Sequence, residues 1–288
     1  MPEIKKFKDY KNVLKENLKE LKVIYSDLDG TLLNDKGCLI KDIEGNFFFD
    51  VVKLFKRISD KGWDVVLASG RNKLQLKYNA MLLGVRNYIP ELGCEMVYDF
   101  GEKVYPTFDA ENFSCKITRG GKDLLEIIKL LKHSFPGKVE SLIEWSMERT
   151  YNALFFGDID LEKANAVLEE NGFSQVMLVD NGFSNLVKLD LDVKRLRILN
   201  LIPKGVSKAS AIKLDKKIRK LADKNCIALG DSAEDLKMAG DVFAFFITRD
   251  AIENNTGIVE TIKKYDNVYV TENRMNRGWA EVVKYLAY

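Results

Sequence analysis

The chain has 288 residues, 46% of them hydrophobic and 31% charged, with a formal net charge of +2. That length suits one large or two ordinary domains, and the apolar share is enough for a packed core. The near-neutral balance supplies no field for nucleic acid or an anionic membrane surface, and no apolar run approaches a membrane span.

The first residues, MPEIKKFKDYKNVLKENLKE, lack the apolar stretch of a secretory signal. Ile4, Phe7, Leu14, Leu18 and Leu21 recur at near-helical spacing, so residues 1–20 read as an amphipathic helical extension lying on the protein body. Lys22–Ser26 reads as a buried strand, followed by the polar turn Asp27-Leu28-Asp29-Gly30-Thr31. Val51, Val52, Leu54, Phe55 and Ile58 predict one face of a helix that Gly62 stops. A second strand, Val65–Ala68, ends in Ser69-Gly70-Arg71, and a helix over Leu74–Leu83 ends at Gly84. This rhythm predicts a parallel α/β sheet.

The pattern then changes. Asp99–Glu102 reads as a turn between short strands, followed by a helix over about Lys122–Ser134. Strands near Ser141–Trp145 and Tyr151–Phe156, a helix over Leu161–Asn171, and strands Gln175–Val179 and Asn185–Leu189 come next. Asn181-Gly182 between the last two reads as a hairpin turn. The doubled helix-strand-strand pattern predicts an inserted α+β domain over residues 98–196. The parallel rhythm resumes with a strand at Arg197–Ile202, a helix over Ser207–Asp223 and a buried strand Cys226–Leu229 ending in Gly230-Asp231. A strand over Val242–Ile247, a helix near Ile258–Lys264, a strand at Asn267–Val270 and a helix from Gly278 complete it. The expected fold is an α/β core with a parallel sheet, 1–97 and 197–288, carrying that insert.

Cys38, Cys94, Cys115 and Cys226 form no C-x-x-C pair, which disfavours a zinc ribbon or a thioredoxin-type site. They read as reduced thiols buried as small hydrophobes in a cytoplasmic protein. The single histidine, His133, excludes a multi-histidine metal centre, and its place before Pro136-Gly137 gives it a helix-end role.

In an open parallel sheet, ligands bind at the carboxyl ends of the strands, and four polar motifs sit at such ends here. Asp27 and Asp29, two apart in extended chain, project to one side and repel unless a cation joins them. A hard divalent ion suits such oxygen ligands. An aspartate can attack phosphorus, and a second carboxyl can protonate the leaving oxygen. By itself D-x-D-G-T also suits a calcium loop or a capped turn. Ser69 and the helix start behind it can hydrogen-bond a phosphoryl group, as can an ordinary N-cap serine; Arg71 reads as a substrate contact or a surface ion-pair partner. Lys208, at a helix start, can neutralise nucleophile and phosphoryl charge together. Gly230-Asp231-Ser232-Ala233-Glu234-Asp235 adds carboxylates at a strand-to-helix turn, where they can complete a metal shell or stabilise the helix start.

Together these motifs resemble the signature of the haloacid dehalogenase-like phosphatases, over residues 21–96 and 200–288. The resemblance implies a Rossmann-like core, with Asp27 as nucleophile and magnesium ligand, and Asp29 as general acid/base that lends its carbonyl to the metal. It implies Ser69, Gly70 and Lys208 as phosphate-binding, Asp231 as a further ligand, and Asp235 behind it or holding a water. Glu234 stands where many relatives have Asn, which puts the outer metal shell in question. The insert's position and doubled pattern resemble the type-two caps of mannosyl-3-phosphoglycerate phosphatases, sucrose phosphatases and phosphomannomutases. Gly278-Trp279 and Arg149-Thr150-Tyr151 are similar to stretches of the first group, which implies Arg149 as a substrate contact; Asn181 and Asn185 are further candidates facing the cleft. The expected activity is magnesium-dependent hydrolysis of a small phosphorylated metabolite, a phosphosugar or sugar-acid phosphate such as mannosyl-3-phosphoglycerate. A phosphosugar mutase shares this chemistry, and a non-catalytic phosphate-binding regulatory domain would share the fold. G-x-x-x-x-G-K-[ST] and G-x-G-x-x-G do not occur, which argues against nucleotide and dinucleotide binders.

Overall fold

Phe7–Asn17 form α1, and its buried Phe7 and Leu14, with Leu18 and Leu21, anchor it to the body as the apolar spacing predicts. The computed structural model describes residues 4–118, 120–183 and 187–288. β1 (Val23–Ser26) is buried along its whole length, as a central parallel strand must be. α2 (Asp50–Asp60) buries Val51, Leu54 and Ile58 but leaves Val52 exposed. At about 100° per residue, Val52 falls beyond the stripe its neighbours define. β2 (Asp64–Ala68) leads into α3 (Lys73–Leu83), which Asn72 and Gln75 open with a reciprocal capping box and Gly84 closes in the left-handed region. β3 (Asn87–Ile89), β4 (Glu95–Tyr98) and β5 (Lys103–Pro106) follow.

The second layer contains α4 (Lys122–Ser134), β6 (Val139–Glu140), α5 (Ile143–Ser146), β7 (Ala153–Gly157), α6 (Leu161–Glu170), β8 (Val176–Phe183) and β9 (Arg197–Pro203). The chain returns through α7 (Lys208–Arg219), β10 (Cys226–Gly230), β11 (Ala244–Ile247), α8 (Arg249–Asn254), α9 (Ile258–Ile262), β12 (Val268–Val270) and α10 (Met275–Ala287). The main sheet runs β12-β11-β10-β1-β2-β3-β4-β5, parallel as far as β3 and antiparallel beyond it. One apolar core packs α1, α2, α3 and α10 on one face, and another packs α7, α8 and α9 on the other. The second sheet, β6-β7-β9-β8, is antiparallel and buries its own core against α4 and α6.

Several expected elements differ. Arg197–Pro203 joins the second sheet, pairing antiparallel with β7 and β8, and Lys103–Pro106 is the edge of the main sheet. Sheet membership therefore changes near 107 and 203 rather than at 97 and 197. An apolar run buried on both faces reads alike in either setting. Most of Ser141–Trp145 is the short helix α5, held by a turn from Trp145 N–H to the Leu142 carbonyl. Asn181-Gly182 makes no hairpin: it lies within β8, at a bulge between Asp180 and Phe183 where Gly182 has φ +88°. A bulge and a hairpin turn both need a left-handed residue, so Asn-Gly signals either. Asn185 and Leu186 of the expected strand lie outside the described residues, and 187–189 are not strand. His133 occupies the last turn of α4 as expected. All four cysteines are free thiols, but Cys38 and Cys115 are only half-buried.

Candidate active site

The carboxyl ends of β10, β1, β2 and β3 lie side by side, so Asp231, Asp27, Ser69 and the residues after Ile89 open on one edge. Asp27 extends β1 by one residue, donating its N–H to the Leu229 carbonyl at 2.9 Å. Its side chain is buried. Lys208 Nζ, also buried, donates to Asp27 Oδ1 at 2.5 Å and to Asp235 Oδ1 at 2.6 Å. Ser207 and Ser210 cap α7 reciprocally, which fixes the helix start that carries Lys208. The other Asp235 oxygen accepts Ser232 Oγ (2.6 Å), Ser232 N (3.1 Å) and Asp231 N (3.2 Å), so Asp235 braces the lysine and its own loop.

Asp231 lies against the Asp27 turn. A Cβ at Gly30 would stand 2.5 Å from Asp231 Oδ2, and Gly30 has φ +83°, so this position requires glycine on both counts. Thr31 Oγ1 donates to Asp231 Oδ1 at 3.3 Å. Behind the strand end, fully buried Trp279 donates to Ser26 Oγ at 3.0 Å, and Ser26 Oγ donates to the Asp27 carbonyl at 2.7 Å. Gly278-Trp279 thus reaches the Asp27 backbone through one hydroxyl.

Asp27, Asp231 and Asp235 can place one oxygen each within 4.8 Å of one another, against the single ammonium of Lys208. Burial lifts Asp27 from its ordinary value to about 7; Lys208 opposes this and Asp235 adds to it. Burial, with the charges of Asp27 and Asp235, holds Asp231 well above the carboxylate range. For Lys208, burial pulls downward, but Asp235 and Asp27 outweigh it and the lysine stays firmly protonated. Asp27 Oδ2 is buried and meets no donor among the described residues. An acidic cluster with one orphaned carboxylate oxygen fits a hard divalent cation. Both Asp235 oxygens are already engaged, which leaves Asp27 and Asp231 as the side chains free to hold one.

The remaining expected residues group around this cluster. Arg71 grips Asp29 with two hydrogen bonds, Nε to Oδ2 at 2.8 Å and Nη2 to Oδ1 at 2.5 Å, and its Nη1 reaches Asn79 at 2.9 Å. Ser69 is buried and its hydroxyl accepts the Arg71 N–H at 3.2 Å. Gly70 is met by Asn181, whose Nδ2 lies 2.5 Å from where a Cβ would be, and by Arg149, whose Nη1 donates to the Gly70 carbonyl at 2.9 Å. Arg149 is buried, and its Nε is taken by the Trp145 carbonyl. Glu234 pairs with Lys237 on its own turn at 2.5 Å, outside the acidic cluster. Asn185 lies outside the described residues.

One segment of the site went unread in the sequence. Glu91, Leu92 and Gly93, after β3, take three successive left-handed conformations with φ +52°, +59° and +106°. A Cβ at Gly93 would stand 2.0 Å from the Ser207 carbonyl, so the turn is pressed against the start of α7. The available signal was a glycine and an acid directly after a strand end, which many loops share.

A family model for haloacid dehalogenase-like hydrolases matches residues 24–112 and 158–242. The chain belongs to this family. It is also similar to the glucosyl-3-phosphoglycerate/mannosyl-3-phosphoglycerate phosphatase of Persephonella marina, 24% identical over 91% of this chain and 95% of the relative. Among solved structures, the sucrose-phosphatase of Synechocystis in complex with sucrose and phosphate aligns with a TM-score of 0.64 at 14% identity, covering 93% of this chain and 98% of that one. A haloacid dehalogenase-like hydrolase from Bacteroides thetaiotaomicron aligns with a TM-score of 0.62 at 18% identity, covering 92% and 98%. At these identities the structural likeness carries the fold alone. No helix among the described residues is long and apolar enough to cross a membrane.

Proposed function

We propose that the protein is a magnesium-dependent phosphatase that hydrolyses a small phosphorylated metabolite through an aspartyl-phosphate on Asp27. The observation that carries this reading is the division of labour on one carboxylate: Lys208 holds Asp27 Oδ1 at 2.5 Å while Oδ2 stays free of donors. One Asp27 oxygen attacks phosphorus, the other being left for the cation, and the ester P–O bond breaks. Asp29, released from Arg71 and protonated from solvent, gives that proton to the departing oxygen, then takes one from the water that splits the aspartyl-phosphate, and inorganic phosphate leaves. Asp27 and Asp231, with the Asp29 carbonyl, would hold magnesium, which supplies neutralisation of the converging negative charges. Lys208 stabilises the phosphoryl oxygens from the other side, and Ser69 and Gly70 receive them at the end of β2. Arg71 orients Asp29, and its grip loosens as an incoming phosphoryl group competes for the guanidinium.

The second layer acts as the cap in this reading, and the roof it forms over the sheet edge restricts the site to small esters. The likeness to an enzyme named as a glucosyl-3-phosphoglycerate/mannosyl-3-phosphoglycerate phosphatase supports a phosphosugar or sugar-acid phosphate as the substrate class. The test is phosphate release across a panel of phosphate esters with magnesium present, in the wild type and in Asp27→Asn. The expected result is highest kcat/KM on a phosphosugar or sugar-acid phosphate and none in the variant. A preference for phosphopeptides or nucleotides would reject the substrate class, and an active, folded Asp27→Asn would reject the mechanism.

A further inference from the structure

The turn Ser69-Gly70-Arg71 has all three of its backbone carbonyls tied. Leu92 N–H donates to the Ser69 carbonyl and Glu91 N–H to that of Arg71, each at 3.0 Å. The Gly70 carbonyl accepts Arg149 Nη1 at 2.9 Å. Two of these ties come from the left-handed turn after β3 and the third from the second layer. The same turn holds the segment that carries Arg149. Glu91, fully buried, accepts Thr150 N–H at 2.9 and 3.1 Å on its two oxygens and Tyr151 N–H at 3.0 Å. Leu92 packs with Cys94, Val179, Ile202 and Val206 in a small apolar seam between the layers.

Side chains with a Cβ disfavour left-handed backbone, at about 1–2 kcal/mol per residue. Glu91 and Leu92 both adopt it, and that geometry places their N–H groups on the phosphate turn while the Glu91 carboxylate faces the second layer. Burial also works against both charges: it raises the Glu91 carboxyl above its ordinary range and lowers Arg149 below its own. Such groups are retained where their hydrogen bonds fix a geometry.

We propose that Glu91 and Arg149 are positioning residues that hold the Ser69-Gly70-Arg71 turn in its phosphate-accepting shape, and that they make this shape conditional on the second layer being seated on the core. The proposal rests on the phosphatase reading above and assigns Arg149 a role different from direct contact with the sugar. A hydrogen bond from a cation to a buried carbonyl is worth enough that losing it weakens phosphate binding about tenfold or more. The loss is the same for any phosphate ester, because what changes is the turn that receives the phosphoryl group.

The experiment measures competitive inhibition by inorganic phosphate, and KM for p-nitrophenyl phosphate and for the best phosphosugar, in the full chain. Arg149→Ala is expected to raise the phosphate inhibition constant and both KM values by a common factor of about ten or more. Arg149→Lys, which keeps one donor, recovers part of the loss. Glu91→Gln loses several-fold, and its combination with Arg149→Ala is no worse than Arg149→Ala alone, since the two act as one unit. Folding is checked by thermal melting; if Arg149→Ala does not fold, Arg149→Lys and Glu91→Gln carry the comparison. An unchanged phosphate inhibition constant in a folded variant, a loss confined to the phosphosugar, or additive losses in the double variant would each overturn the proposal. If the wild type neither cleaves p-nitrophenyl phosphate nor binds phosphate, the phosphatase reading falls and takes the proposal with it. If the wild type does both and the variants match it, this proposal alone fails.

Discussion

The edge of the main sheet and the body of the second layer use charge in opposite ways. At the sheet edge, Asp27, Lys208 and Asp235 are buried in mutual contact, with Asp231 beside them. In the second layer, charges sit at the surface in pairs such as Lys132–Glu140 and Lys163–Asp160, and the interior is an apolar cluster with a few uncharged polar side chains, Ser146, Asn152 and Asn200. Arg149 is the exception: it is the buried charged residue of that layer among the described residues, and it faces the Ser69-Gly70-Arg71 turn of the core. Burying charge is costly unless it is paired. In the proposed mechanism the sheet edge accepts that cost because its electrostatics act on the reacting group, and the second layer contributes shape and a single cation.

The largest effect that tests this contrast is catalytic. Asp27→Asn is expected to lower kcat at least about a thousandfold, because a carboxamide is a very poor nucleophile at phosphorus. Its melting temperature should hold or rise, since Lys208 keeps Asp235 and one buried anion is gone. Asp160→Asn, in an exposed pair of the second layer, should leave kcat unchanged. A comparable loss in the two variants would dissolve the contrast.

The next effect is on stability. Lys208→Met leaves the Asp27, Asp231 and Asp235 carboxyl groups without their ammonium. Urea unfolding should show a loss of about 3–5 kcal/mol, the cost of stranding buried charge. Lys132→Met breaks an exposed pair and should cost about 1 kcal/mol or less. Equal costs would mean that burial at the sheet edge does not set the energetics there.

A third effect links stability, pH and magnesium. Asp27 titrates at about 7 in the folded protein against an ordinary 3.8. Below 3.8 both states carry the proton and its stabilising contribution is complete. Above it the unfolded state ionises first, so this contribution is lost as pH rises toward 7, by on the order of a few kcal/mol. The difference in stability between wild type and Asp27→Asn isolates it. Magnesium favours the ionised carboxylates, so its increase in melting temperature should grow between about pH 5 and about pH 8. A magnesium shift that is the same at both ends of that range would contradict the cluster's protonation.

The same contrast explains what the sequence disclosed. Asp27, Ser69, Lys208 and Asp231 were legible because each stands directly after a buried strand or at a helix start, where a polar residue is conspicuous. The parallel strands were legible for the same reason. The second layer was harder: Arg197–Pro203 reads as a buried strand in either sheet, and only its hydrogen-bond partners decide. Asn181-Gly182 announces a left-handed residue but not whether it makes a turn or a bulge. Arg149 was marked as a cleft residue, yet its partner is a backbone carbonyl 79 positions away, which no local pattern encodes. Glu91 and Leu92 were missed because nothing in Pro-Glu-Leu-Gly specifies three left-handed residues in succession.

The smallest effect compares one glycine from each region. Gly30 and Gly182 have nearly the same backbone, φ +83° and +88°. Their surroundings differ: among the described residues a Cβ at Gly182 meets nothing within 4 Å, whereas at Gly30 it would stand 2.5 Å from Asp231 Oδ2 and 2.9 Å from its Cγ. Alanine at either position incurs the backbone penalty of a left-handed residue, about 1 kcal/mol. At Gly182 that should be the whole effect, a modest drop in melting temperature with no change in the magnesium concentration needed for half-maximal stabilisation. At Gly30 the methyl group must also push Asp231 aside, and under the proposed assignment of Asp231 as a cation ligand that displacement should raise that concentration about tenfold. The measurement is a magnesium titration followed by thermal melting in both variants. A Gly30→Ala midpoint equal to that of Gly182→Ala would show that Asp231 does not hold the ion, and the cation site would then have to be sought among other oxygens of the edge.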